Sequence, residues 1–103
     1  MNAVNDKRRN ENTDYLFQII LSLKDLDECY QFFDDLCTIS ELKDMSQRIQ
    51  VARMLDEKKV YSEIVSVTGA STATISRVNR CLLYGSDGYR MALDRMKELS
   101  NEK

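Results

Sequence analysis

The chain has no histidine, no tryptophan and no proline, and only three glycines and three cysteines among 103 residues. Each shortage excludes something. Without His, the commonest general base is missing, and so is the usual partner of a Ser or Cys nucleophile. A zinc site would have to be built from carboxylates and scattered thiols, and Cys29, Cys37 and Cys81 show no C-x-x-C spacing. Their odd number fits reduced thiols in a cytoplasmic protein. Gly69, Gly85 and Gly88 form no Gly-rich loop or Walker-type run. An enzyme is therefore not expected, and neither is a metal or cofactor. No run of about 18 apolar residues exists, so no membrane span is expected. The N-terminal stretch MNAVNDKRRNENTD has charge but no apolar signal-peptide core.

What is present describes a globular chain, 43% hydrophobic and 31% charged. The length fits one domain. A chain this short buries a modest share of its surface, so a partner subunit is expected. The net charge of −2 hides an asymmetry. Residues 12–36 carry one Lys against six acids, whereas residues 58–90 carry five Lys or Arg against Glu63 and Asp87. A basic segment inside an acidic chain points to a localised polyanion contact.

Everything periodic has the helical period. Residues 1–12 are polar and read as a disordered arm, with KRR at 7–9; such an arm can enter a minor groove. The domain proper is expected over 13–99 as six helices, with 100–103 loose. The first runs from Thr13 to Leu23, with Leu16, Ile19, Ile20 and Leu23 on one face and Phe17 and Leu21 on another. Apolar residues on two faces require two neighbours. The second runs from Leu26 to Leu36, with Leu26, Cys29, Tyr30 and Phe33 in register. Thr38 and Glu41 make a capping box for a long third helix ending near Lys58. Its stripe is Leu42, Met45, Ile49, Ala52 and Leu55, and Lys58 and Lys59 face the negative end of its dipole. A short helix near 62–67 is followed by a turn at Thr68, Gly69 and Ala70. Ser71 caps a fifth helix that ends near Tyr84. Ser86 caps a sixth, with Tyr89, Ala92, Leu93, Met96 and Leu99 as its stripe.

The stretch VTGASTATISRVNR, residues 67–80, carries the functional signal. Two short helices joined by a Gly-containing turn form a helix-turn-helix, here over about 61–83. Ile64, Ala70, Ile75 and Val78 fall where the two helices pack together. Ser71, Thr72, Ala73, Thr74, Ser76, Arg77 and Arg80 then face outward. Val65 sits where a small residue is usual, and Thr68 where an apolar one is commoner. The outward set suits DNA. Small side chains let a helix enter the major groove, Ala and Thr methyls can meet the thymine methyl, and Ser or Thr hydroxyls can donate to or accept from any base. Lys58, Lys59, Arg77 and Arg80 can neutralise phosphates. The alternative is a helical hairpin for protein contact, with the Ser/Thr-rich helix as a solvated face.

The segments LCTISELKDMSQRIQVARML at 36–55 and TGASTATISRVNRCL at 68–82 resemble the Trp repressor family, and more closely its YerC/YecD-type members. With the weaker helical regions, the resemblance spans about 13–99. It implies an all-α fold of six helices. It also implies an intertwined homodimer and two helix-turn-helix units reading a palindromic operator in double-stranded DNA. Three base-facing positions of the family fall on Thr72, Ala73 and Ser76, and a phosphate-facing hydroxyl on Thr74. Trp repressor is itself a known case of base contacts carried by bridging water, and the small polar helix here fits that mode. The family's tryptophan pocket maps to Thr38, Arg48, Arg77, Val78 and Cys81. Val78 stands where the repressor proper has a glycine that makes room for the ring. Cys81 stands where a serine meets the ligand. These departures argue for a different small effector or none. The expected function is a DNA-binding transcriptional regulator, a repressor, in the cytoplasm. Its competitor is a helical adaptor that kept the fold without operator binding.

Overall fold

A computed structural model of the chain describes residues 7–101. Over these residues the chain forms six helices and no strand: α1 (Glu11–Ser22), α2 (Leu26–Leu36), α3 (Ile39–Asp56), α4 (Tyr61–Thr68), α5 (Thr72–Tyr84) and α6 (Gly88–Asn101). It divides into two compact units, the first ending at Ile39 and the second beginning at Ser40.

In the first unit, α1 begins at Glu11, two residues earlier than the apolar pattern predicts. The cause is Asn10, whose side chain accepts from the Thr13 amide at 2.9 Å; Asn caps compete with Thr caps and take the earlier start. Arg9 of the basic KRR lies 3.8 Å from Asp14, so this part of the expected arm folds back toward α1. The expected arm at 1–6 lies outside the described residues. Asp25 caps α2 by accepting from the Glu28 amide, and Glu28 accepts in return from the Lys24 amide, each at 2.9 Å. Phe32 and Phe33 pack edge to face at 5.2 Å. Neither α1 nor α2 contains a buried residue. Leu16, Ile19, Ile20 and Leu23 are half-covered, while Phe17, Leu21, Leu26 and Tyr30 are exposed.

The second unit holds the core. Val51, Ala52 and Met54 of α3 meet Ile64 of α4, Ala70 of the turn, Ile75 and Val78 of α5, and Leu93 of α6; Leu55, Leu82 and Tyr89 flank them. Truncating Ile64 or Ile75, both fully buried, to Ala would cost about 2–5 kcal/mol. The α3 stripe differs from the expectation. Ala52 is buried, but Ile49 is about half exposed and Val51 and Met54 take its place. A helix covered across a broad arc by several neighbours has no single stripe.

Helix α3 also ends earlier than expected, at Asp56. The Lys58 amide donates to the Leu55 carbonyl and the Lys59 amide to the Met54 carbonyl, the paired bonds of a Schellman ending. Lys58 takes the left-handed conformation, φ 66, that glycine usually supplies there. The two lysines therefore lie past the helix, not in its last turn. Asp56 anchors α3 to α6, accepting from Arg90 Nη1 and Lys97 Nζ, both at 2.7 Å. Helix α6 starts at Gly88, so Ser86 is not its cap. Asp87 precedes it with φ 66, a backbone that Asp tolerates better than most residues. Helix α6 continues to Asn101, into the segment expected to be loose; 102–103 lie outside the described residues.

Candidate nucleic-acid interface

The site is built on the α4–turn–α5 segment. Helix α4 stops at Gly69, whose φ of 74 turns the chain and whose amide donates to the Val65 carbonyl at 2.9 Å. A Cβ at Gly69 would meet no atom within 4 Å, so glycine is wanted there for its backbone freedom alone. Thr68 explains its own departure from an apolar pattern. Its Oγ1 donates to the Ile64 carbonyl at 2.7 Å and accepts from the Ala70 amide at 3.1 Å. Ala70 is 3% exposed, so that amide would otherwise be buried and unpaired. Gln47 of α3 adds a third bond, Nε2 to the Thr68 carbonyl at 3.1 Å. The sequence pattern points to neither role, because a polar side chain beside a turn is ordinarily just solvated.

Ser71 opens α5 as expected. Its Oγ accepts from the Thr74 amide at 3.1 Å and donates to Thr74 Oγ1 at 3.1 Å. With its acceptor site engaged, the Thr74 hydroxyl keeps its own hydrogen for a further acceptor. The Ile75 amide donates to the Ser71 carbonyl, so the amides of Thr72 and Ala73 precede the first helical bond and have no intrahelical partner. No acid lies in this first turn, which leaves the positive end of the helix dipole unopposed. At the far end, Gly85 is needed because a Cβ would run into the Cys81 carbonyl oxygen.

Around this helix start, Ser71, Thr72, Ala73, Ser76, Arg77 and Arg80 are exposed and Thr74 is half-buried. Lys58 and Lys59 are exposed on the loop before α4. Among the described residues, none of Lys58, Lys59, Arg77 and Arg80 joins an ion pair. Arg90, counted in the basic segment, is different. It is held by Asp56 at 2.7 Å and lies 3.6 Å from Asp94. The bonds from Lys97 and Arg90 hold the Asp56 carboxyl below its ordinary value, and the Asp56 carboxylate raises that of Arg90. Within residues 58–90, the basic charge left for a partner is the two lysines before α4 and the two arginines of α5.

The residues expected around an effector are distributed over the two units. Thr38 stands directly before α3, in the first unit. Arg48 is half-buried on α3, and Arg77 and Cys81 are exposed on α5. Val78 is 1% exposed and packs in the core of the second unit. Its side chain packs with Ile64 and Ile75 in that core cluster. Among the described residues no cluster of three His, Cys, Asp or Glu could hold a metal ion. The three cysteines are free thiols. No described helix is long and apolar enough to cross a membrane.

Comparison with known proteins gives a consistent result. The family model for Trp repressor protein matches residues 11–97. The protein YerC of Bacillus subtilis (strain 168) is 63% identical over 97 residues, covering 94% of this chain and 93% of that one. The crystal structure of a provisionally assigned Trp repressor from Staphylococcus aureus superposes with a TM-score of 0.86 at 52% identity, covering 94% and 95% of the two chains. The crystal structure of a TrpR-like protein from Eubacterium eligens ATCC 27750 gives 0.87 at 56% identity, covering 90% and 96%.

Proposed function

The chain belongs to the Trp repressor family, and on that basis we propose that it is a sequence-specific DNA-binding regulator, a repressor acting as a homodimer on a palindromic operator. The observation that carries this reading is the start of α5: a capped helix N-terminus without an acid, lined by exposed Ser, Thr and Ala side chains. Lys58, Lys59, Arg77 and Arg80 add four positive charges that no described acid neutralises. Thr72, Ala73 and Ser76 read base edges, directly or through water. Thr74, with its free hydroxyl hydrogen, and the amides of Thr72 and Ala73 hold a phosphate. Homodimerisation is supported by the uncovered apolar residues of α1 and α2, which one chain leaves in water. A two-fold dimer would address half-sites about 34 Å apart or a multiple of that. The buried Val78 supports an effector other than tryptophan, or none.

Selection of bound duplexes from a random pool tests the reading. A palindrome with two short half-sites is expected. Enrichment of nothing beyond the starting pool would overturn it. The acidic surface of α1 and α2 favours a second reading, a helical adaptor that binds protein instead. Footprinting on genomic fragments separates the two, because an adaptor protects no palindrome.

A further inference from the structure

The residues that would touch DNA are exposed, apart from the half-buried Thr74, and a chain of hydrogen bonds lies behind the turn that leads into them. Gln47 Nε2 on α3 donates to the Thr68 carbonyl at 3.1 Å; Thr68 Oγ1 donates to the Ile64 carbonyl at 2.7 Å and accepts from the Ala70 amide at 3.1 Å. Three segments are joined this way: the middle of α3, the last turn of α4, and the residue before the α5 cap. Apolar packing alone leaves helices free to slide and roll by small amounts, whereas directional bonds to backbone groups do not. Ala70 is nearly fully buried, and Ser71, the cap of α5, follows it directly. The direction in which α5 leaves the turn is therefore fixed at the Ala70 amide.

We propose that Gln47 and Thr68 are positioning residues for α5, which set operator specificity by fixing the direction of that helix relative to α3 without themselves meeting DNA. This rests on the DNA-reading role assigned to α5 above. Base-edge contacts are geometrically strict and phosphate contacts are tolerant. A small rotation of α5 therefore erodes discrimination more than affinity for arbitrary duplex. Thr68→Val keeps the shape of the side chain and removes the hydroxyl. Gln47→Leu removes the donor to the Thr68 carbonyl.

The test measures dissociation constants for the selected duplex and for a scrambled duplex of the same length, at fixed salt, with thermal melts to verify folding. For Thr68→Val and Gln47→Leu the ratio of the scrambled-duplex constant to the selected-duplex constant is expected to fall on the order of tenfold, the loss of about one base readout. The scrambled-duplex constant should stay near that of the parent. Thr68→Ser restores the hydroxyl and with it the ratio, which a merely structural loss of packing would not predict. A parent-like ratio in both the Val and Leu variants, or failure of Ser to rescue, overturns the proposal. Residual dipolar couplings of α3 and α5 amides in the free protein give a reading that needs no DNA. The Val and Leu variants should show changed α5 couplings relative to α3, and unchanged couplings overturn the proposal. If the parent protein selects no sequence, the DNA-reading role fails, and the positioning role is then decided by the couplings alone.

Discussion

Lys58 and Gly69 bracket α4 with nearly the same left-handed backbone, φ 66 and φ 74. One is the residue type that resists this conformation and the other is the type that adopts it freely. Gly69→Ala should therefore destabilise the protein by about 1–2 kcal/mol through backbone strain alone, since the added methyl meets nothing. Lys58→Gly should stabilise it by up to about 1 kcal/mol for the converse reason. Urea midpoints at one fixed protein concentration check both, with the slope of unfolding unchanged.

Thr74 is the third residue of α5 after the Ser71 cap. A Glu there completes a capping box with Ser71, so Thr74→Glu should fold at least as well as the parent. Its carboxylate would nevertheless face the phosphate that the Thr74 hydroxyl is proposed to hold. Affinity for the selected duplex should fall by about a hundredfold or more. A gel shift with parent-like affinity would sink the docking arrangement, and a higher melting temperature would show that misfolding is not the cause.

Lys59 carries charge but is assigned no base contact. Lys59→Ala should weaken binding about equally for selected and scrambled duplexes. The slope of log affinity against log salt should shrink by about 1. A loss confined to the selected sequence would reassign Lys59 to base readout.

Asp56 supplies a pH dependence whose sign is fixed. Its folded-state carboxyl is held below the ordinary 3.8 by the bonds from Lys97 and Arg90. The unfolded chain thus takes up the proton first as pH falls. The stabilisation is complete above the ordinary value and is lost as pH drops through the lowered one. Asp56→Asn should cost about 1 kcal/mol near neutral pH, because both partners are substantially exposed although Asp56 itself is 11% exposed. In urea titrations the difference between parent and variant should shrink as pH falls below the ordinary carboxyl range and through the lowered Asp56 value.

Tryptophan should not bind in the micromolar range. The Val78 side chain occupies core volume and is sealed from solvent. Isothermal calorimetry showing saturable binding of tryptophan at micromolar concentration would contradict this expectation.

The helical plan is legible in the sequence where one neighbour covers one face. Ile75, Val78 and Leu82 recur at helical spacing and do pack inward together. Ser71 caps α5 as its sequence position predicts. Legibility fails where two signals compete or where contacts are distant. Ser86 and Asp87 are both cap-type residues, and the chain starts α6 after the second. Val51 and Met54 were hidden because α3 is covered over a wide arc. Arg90 reads as free basic charge until its partner, Asp56, is found 34 residues away, a separation no local spacing rule reaches. In the candidate site, the exposed residues of α5 can be read from the turn and the cap. The Gln47 and Thr68 bonds behind them cannot, because their value depends on a backbone amide that only the folded turn buries.

Helices α1 and α2 contain no buried residue, yet they present Tyr15, Phe17, Leu21, Leu26 and Tyr30 to their surroundings. Helices of this length gain little order from propensity alone. A partner surface laid over these side chains would supply most of the free energy that keeps the helices wound. If the homodimer proposed above is that cover, dilution acts on residues 11–36 as a denaturant in its own right, removing the cover without touching a single bond inside the chain.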